Sequence, residues 1–249
     1  LTKDPNSGGG GAGGGRSFSD INIDAPSPEV KMTLKFKESK IECIYNKLIN
    51  SSGFIRTIRN RFQLKSSKFN LILDISKTPL PGHTHAQTEN DGVSVDVHIT
   101  FDAGKMANLP NIQYAQIIAH EMIHAMIYLD ILERRHGVKE REDVKEYYRK
   151  KDLTKIYDYF GEKDTLKQHE YMSSMVVDEL SSALKRFYNN KKGKKGKVLT
   201  DKDFEAIAWQ GLYNTKGWEA KDSLERKDLK DRLSKLKNDT TFYIPEECK

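Results

Sequence analysis

Cysteine is scarce: Cys43 and Cys248 are the only two in 249 residues. This excludes a disulfide framework and any paired-thiolate zinc site, while leaving room for one bridge. Cys43 falls among apolar helical positions and reads locally as a small packed residue. No apolar run approaches the roughly 18 residues needed to cross a bilayer, so no membrane span is expected. No charged-then-apolar leader follows Leu1, and the expectation is a piece of a longer protein. No internal repeat is visible. What is plentiful is charge, 31% of residues, with a net +6 that suits an anionic partner. Much of that excess sits in one run, Lys185 to Lys197 (KRFYNNKKGKKGK), whose glycines favour a solvated loop over a nucleic-acid contact.

The stretch from Asn111 to Arg135 (NIQYAQIIAHEMIHAMIYLDILERR) organises the rest. Ile112, Ala115, Ile118, Ala119, Met122, Ile123 and Met126 recur at helical spacing, and Leu109-Pro110-Asn111 is a start signal. Four residues turn a helix through about 40° past a full circle, so His120 and His124 stack on one face and both imidazoles can reach one cation. Glu121 lies about 60° from His124, near enough to touch a metal-bound water. Two neutral imidazoles and a carboxylate that moves a proton are what a zinc peptidase needs, and His-Glu-x-x-His is that spacing. A charged triple in an apolar helix is costly unless something binds it.

Before this helix the chain divides in two. Residues 1–28, with GGGGAGGG at 8–15, form a flexible tether, which implies an upstream module. Residues 29–249 form the domain, with its core about 38–220. From Glu38 to Phe62 the apolar spacing fits two short helices broken at Ser51-Ser52-Gly53. The period then becomes two, giving strands at 69–75 and 93–101 joined by a Pro/Gly/His loop from Thr78 to Gly92. His83, His85 and His98 lie there as weak ligand candidates. An exposed strand edge could pair with a peptide backbone. The expected fold class is α+β, a small sheet followed by the His-Glu-x-x-His helix and a second helix carrying the third metal ligand.

After the helix, the charged segment from His136 to Lys151 reads as a solvated helix or excursion. Lys167 to Phe187 has a second amphipathic pattern with His169 and Glu170 in its first turn. Residues 201–212 and 219–238 give two more helices, with Trp209 as a packing residue and the last helix charged and superficial.

Catalytic zinc keeps three protein ligands and one water. Asp130 stands where a longer ligand motif would end, but Ile127 occupies the position where that motif breaks its helix with Gly, so Asp130 would point about 240° away. His169 is the preferred third ligand, with Glu170 as the alternative. Tyr171, His98 and Tyr157 are candidate oxyanion donors.

His120-Glu121-Met122-Ile123-His124-Ala125, Gln168-His169-Glu170-Tyr171-Met172 and Ala208-Trp209-Gln210-Gly211-Leu212 together resemble SprT-like or minimal zincin metallopeptidase domains, found in Bacteroidota lipoproteins and at the C-termini of Rhs-type polymorphic toxins. The resemblance spans roughly 38–220 and implies a zinc-dependent endopeptidase (Zn²⁺ on His120, His124 and His169, with Glu121 as base) acting on a protein or peptide. It further implies a toxin or effector domain, secreted or delivered within a larger carrier and met by a cognate inhibitor protein. A cytoplasmic, DNA-associated repair protease and a non-catalytic zinc-binding domain are the alternatives. The former would use Lys191, Lys192, Lys194 and Lys195 on nucleic acid.

Overall fold

The computed structural model describes residues 29–64, 67–90, 96–135, 165–189, 198–238 and 248. The tether, the segment His136 to Lys151, Tyr157 and residues 190–197 of the lysine-rich run lie outside these residues; the first five residues of that run, Lys185 to Asn189, end a helix rather than belonging to the expected loop.

A four-stranded mixed sheet forms one layer and helices pack on it, making the chain α+β. β1 (Val30–Met32), β2 (Asn70–Ile75) and β4 (Asp96–Phe101) run parallel, and β3 (Ala86–Glu89) closes one edge antiparallel to β4, in the order β1-β2-β4-β3. Leu71, Leu73 and Ile75 pair in register with Val97, Ile99 and Phe101. All six are buried, because a period of two sends alternate side chains to one face. The opposite face keeps Asn70, whose amide donates to Asp96 Oδ1 at 2.7 Å.

β1 reaches β2 through three helices, α1 (Leu34–Lys37), α2 (Lys40–Ser51) and α3 (Gly53–Arg61). The expected break falls on Ser52, whose backbone leaves the helical region and whose hydroxyl accepts from Ile55 N at 3.3 Å, capping α3. Phe36 of α1 is fully buried, so the core begins ahead of residue 38.

After β4 come α4 (Ala103–Met106) and the long α5 (Asn111–Arg135). From Asn111 to Ile127 every residue of α5 is buried. This helix is the centre of the core, and no helix among the described residues is long and apolar enough to cross a membrane.

The second amphipathic segment differs from the single helix its pattern suggests. It forms α6 (Thr165–Met175) and α7 (Val177–Asn189), joined at Val176, with His169 in the second turn of α6 rather than the first turn of a helix. α8 (Asp201–Ala208), α9 (Lys216–Glu219) and α10 (Ser223–Asn238) complete the fold. Thr200 and Asp203 form a reciprocal capping box at the start of α8. α10 is more than a charged surface helix: Leu229, Leu233 and Leu236 form a buried stripe against α8. Trp209 packs on Trp218 with ring centroids 5.3 Å apart, as a packing residue should.

Cys43 and Cys248 are joined in a disulfide, their Cα atoms 5.6 Å apart. Cys43 is thus a cross-link as well as a packed residue, and it ties the end of the chain to α2.

Candidate metal centre

Because α5 keeps a regular helical turn through its middle, His120 and His124 present their rings on one face, with centroids 4.8 Å apart. His169 enters from α6. The three Nε2 atoms form a nearly equilateral triangle: 3.1 Å between His120 and His124, 3.2 Å between His124 and His169, and 3.3 Å between His120 and His169. Tetrahedral imidazole ligation at about 2.0–2.1 Å places nitrogens about 3.3 Å apart. The triangle therefore fits one divalent ion, with a corner left for a further ligand. Among the described residues this is the one cluster of three or more His, Cys, Asp or Glu able to hold a metal.

Protonation favours the same conclusion. Burial pushes all three imidazoles below their ordinary range, His124 and His169 to about 4 and His120 well below, and proximity to its neighbours lowers His120 further. Neutral rings are the form that binds metal. Nδ1 of His124 lies 2.5 Å from Gln168 Oε1. An amide oxygen only accepts, so Nδ1 carries the hydrogen and Nε2 is left with its lone pair toward the cluster. Nδ1 of His120 is buried without a hydrogen-bond partner. Gly211, at φ +92°, packs on that ring: a Cβ there would sit 3.3 Å from Cε1 of His120.

The third corner depends on how α6 is held. Glu170 turns away from the cluster, and its two carboxylate oxygens accept from Lys216 N at 2.9 and 3.0 Å, capping α9. Gly217 then approaches α6 so closely that a Cβ would meet Ser173 Oγ at 2.7 Å. Gln116, one turn before His120, donates to Gln210 O at 3.1 Å. The segment from Trp209 to Trp218 therefore clamps α5 and α6 together, and the choice between His169 and Glu170 falls on His169.

Glu121 is 8% exposed and faces the same cleft. Burial raises its carboxyl to about 7 in the metal-free chain, against the lowering effect of its hydrogen bonds from Thr88. Thr88 Oγ1 lies 2.7 Å from Oε2 and 3.1 Å from the Glu121 carbonyl oxygen. The cleft is about 950 Å³ and is lined on one side by Ala86, Gln87, Thr88 and Glu89, that is, by edge strand β3.

Other candidates sort by position. Asp130 pairs with Arg61 of α3 at 2.5 Å, away from the triangle. His83 is exposed and lies outside both cleft and cluster, as does His85, while His98 lines the cleft without joining the cluster. Tyr171 is buried and does not line the cleft; Tyr128 does. Tyr128 was legible in principle, since it stands one helical step beyond His124 on the face of His120. Gln168 and Gly211 stand in the motifs that carry the resemblance, which assigns them no role, and Thr88 had no local signal. No family model, curated protein or solved structure matches this chain.

Proposed function

We propose that the chain is a zinc-dependent endopeptidase. The observation that carries this is the convergence of three neutral imidazole Nε2 atoms beside a buried glutamate, in a cleft walled by an antiparallel edge strand. His120, His124 and His169 would hold the ion. Zinc, when bound by three such ligands, lowers the pKa of its water toward neutrality and polarises a carbonyl.

The chain's own residues account for the rest. β3 ends the sheet order, so among the described residues its outer side has no strand partner and can pair with an extended peptide main chain. Such pairing would lay the peptide across the cleft, with the scissile bond near the imidazole triangle. Glu121 takes a proton from the attacking water on its carboxylate and returns it to the leaving amine. Tyr128 and His98, both lining the cleft, would be the donors to a developing oxyanion. Gln168 holds the His124 ring in its tautomer.

The resemblance of the His120–Ala125, Gln168–Met172 and Ala208–Leu212 motifs to SprT-like or zincin domains supports the same activity. The Cys43–Cys248 bridge supports folding in an oxidising compartment, hence secretion or delivery as part of a larger effector rather than a cytoplasmic role.

The test is hydrolysis of fluorescein-labelled casein by the full chain, with zinc content measured alongside. The wild type should hold one zinc per chain and cleave. Glu121→Gln should hold the same zinc and lose about 10²- to 10⁴-fold in turnover. Wild-type turnover in that variant, or a chain that binds no zinc, would sink the proposal.

A further inference from the structure

Thr88 stands on β3, paired in register with Ile99 of β4, and its hydroxyl reaches across to α5. Both of its neighbours there, Oε2 of Glu121 at 2.7 Å and the Glu121 main-chain oxygen at 3.1 Å, are acceptors. A hydroxyl has one proton to give. The nearer oxygen, that of the carboxyl at 2.7 Å, takes it, and when the carboxyl is ionised this hydrogen bond is charge-assisted and the stronger of the two. Threonine is also stiff at χ1, so the hydroxyl is delivered from a fixed direction. A glutamate side chain swings about its terminal bonds unless something stops it; here one of its two oxygens is tied to the sheet.

We propose that Thr88 is a positioning residue: it holds Oε2 of Glu121, leaving Oε1 as the oxygen that exchanges the proton with the attacking water and the leaving amine. Thr88 lies on the strand against which a substrate backbone would pair, so docking and alignment of the base depend on one element. This inference rests on the peptidase reading and adds to it an assignment of roles to the two carboxylate oxygens. A merely structural Thr88 would satisfy a buried polar group and nothing more. The two roles separate in kinetics, since misplacing the base affects the chemical step and leaves binding alone.

The experiment uses the full chain loaded with zinc, with labelled casein as substrate, and compares Thr88→Val, Thr88→Ala and Thr88→Ser. Thr88→Val should lose about 10- to 100-fold in kcat. KM and zinc affinity should each stay within about twofold. Thr88→Ser, which keeps the hydroxyl, should recover most of kcat. A second readout needs no turnover: the ¹³C signal of the Glu121 carboxyl, identified by its loss in Glu121→Gln, should move in Thr88→Val and Thr88→Ala and stay in place in Thr88→Ser. Unchanged kcat in Thr88→Val would overturn the role, as would a parallel loss of zinc affinity, a serine variant as weak as the valine one, or failure of both Thr88→Val and Thr88→Ala to fold. Each of these leaves the peptidase reading standing if the wild type cleaves. A zinc-loaded wild type that leaves casein uncut defeats the peptidase reading itself, and the Thr88 role with it, even where the carboxyl signal responds.

Discussion

Gln168 Oε1 sits 2.5 Å from Nδ1 of His124, so the residue next to one imidazole of the triangle fixes the ring of another. α6 thus supplies both His169 and the group that orients a ring on α5. Removing that acceptor leaves the His124 ring free to change tautomer and tilt.

Gln168→Leu should therefore weaken zinc binding about 10- to 100-fold, in the range seen when partners of metal-bound histidines are removed. Competition with a chromophoric chelator measures it. The side chain is buried and the replacement similar in size, so the far-ultraviolet circular dichroism should be unchanged. Wild-type affinity would show that packing alone orients the ring.

Gly211→Ala should be costly for two separate reasons. The backbone at φ +92° lies in the left-handed region, where a Cβ costs about 1–2 kcal/mol, and the added methyl would press on the His120 ring at 3.3 Å. Urea unfolding of the metal-free variant should show the first effect and chelator competition the second. If stability drops while zinc affinity holds, the contact with His120 has no bearing on the metal centre.

The metal-free chain should lose stability as pH falls from about 6.5 to about 4.5. The unfolded imidazoles take up protons near 6.5, whereas His124 and His169 in the fold do so only near 4 and His120 lower still. Across that window the unfolded state holds more protons on these three groups, so stability rises with pH. Glu121 opposes this: its folded value near 7 exceeds its unfolded value, and its contribution falls as pH rises through the same range. Three imidazoles outweigh one carboxyl, so the net slope is positive. Denaturant midpoints between pH 4.5 and 7 check the sign, and replacing Glu121 by Gln should steepen the slope.

Reduction of the Cys43–Cys248 bridge should lower stability by about 3–5 kcal/mol, because it spans 205 residues and its loss restores freedom to the unfolded chain. Cys43→Ser with Cys248→Ser should match the reduced protein in urea midpoint. Neither α5 nor α6 carries a half of the bridge, so the three-imidazole cluster should survive in both. A midpoint unmoved by reductant would show that the cross-link adds nothing to the fold.

How far the sequence could be read depended on how much of each feature lay within a single element. α5 was legible to the residue, because long apolar periodicity and the stacking of His120 and His124 are both local properties of a helix. The Ser52 break was legible for the same reason. β3 was not: Ala86-Gln87-Thr88-Glu89 carries no alternation of its own and becomes a strand because β4 offers it a hydrogen-bonding edge. The leucine stripe of α10 was masked by the charges around it and shows only once α8 packs against it.

By itself, then, the sequence determined the α+β class, the histidine pair on one helical face and the glutamate beside it, since each follows from spacing within a few residues. Tertiary structure alone decided that His169 rather than Glu170 faces the pair, that Gln168 and Thr88 orient the groups beside them, that Gly211 lies against His120, and that two cysteines 205 residues apart meet. Those are distances between elements. They are set by how the whole core packs, and no window along the chain contains them.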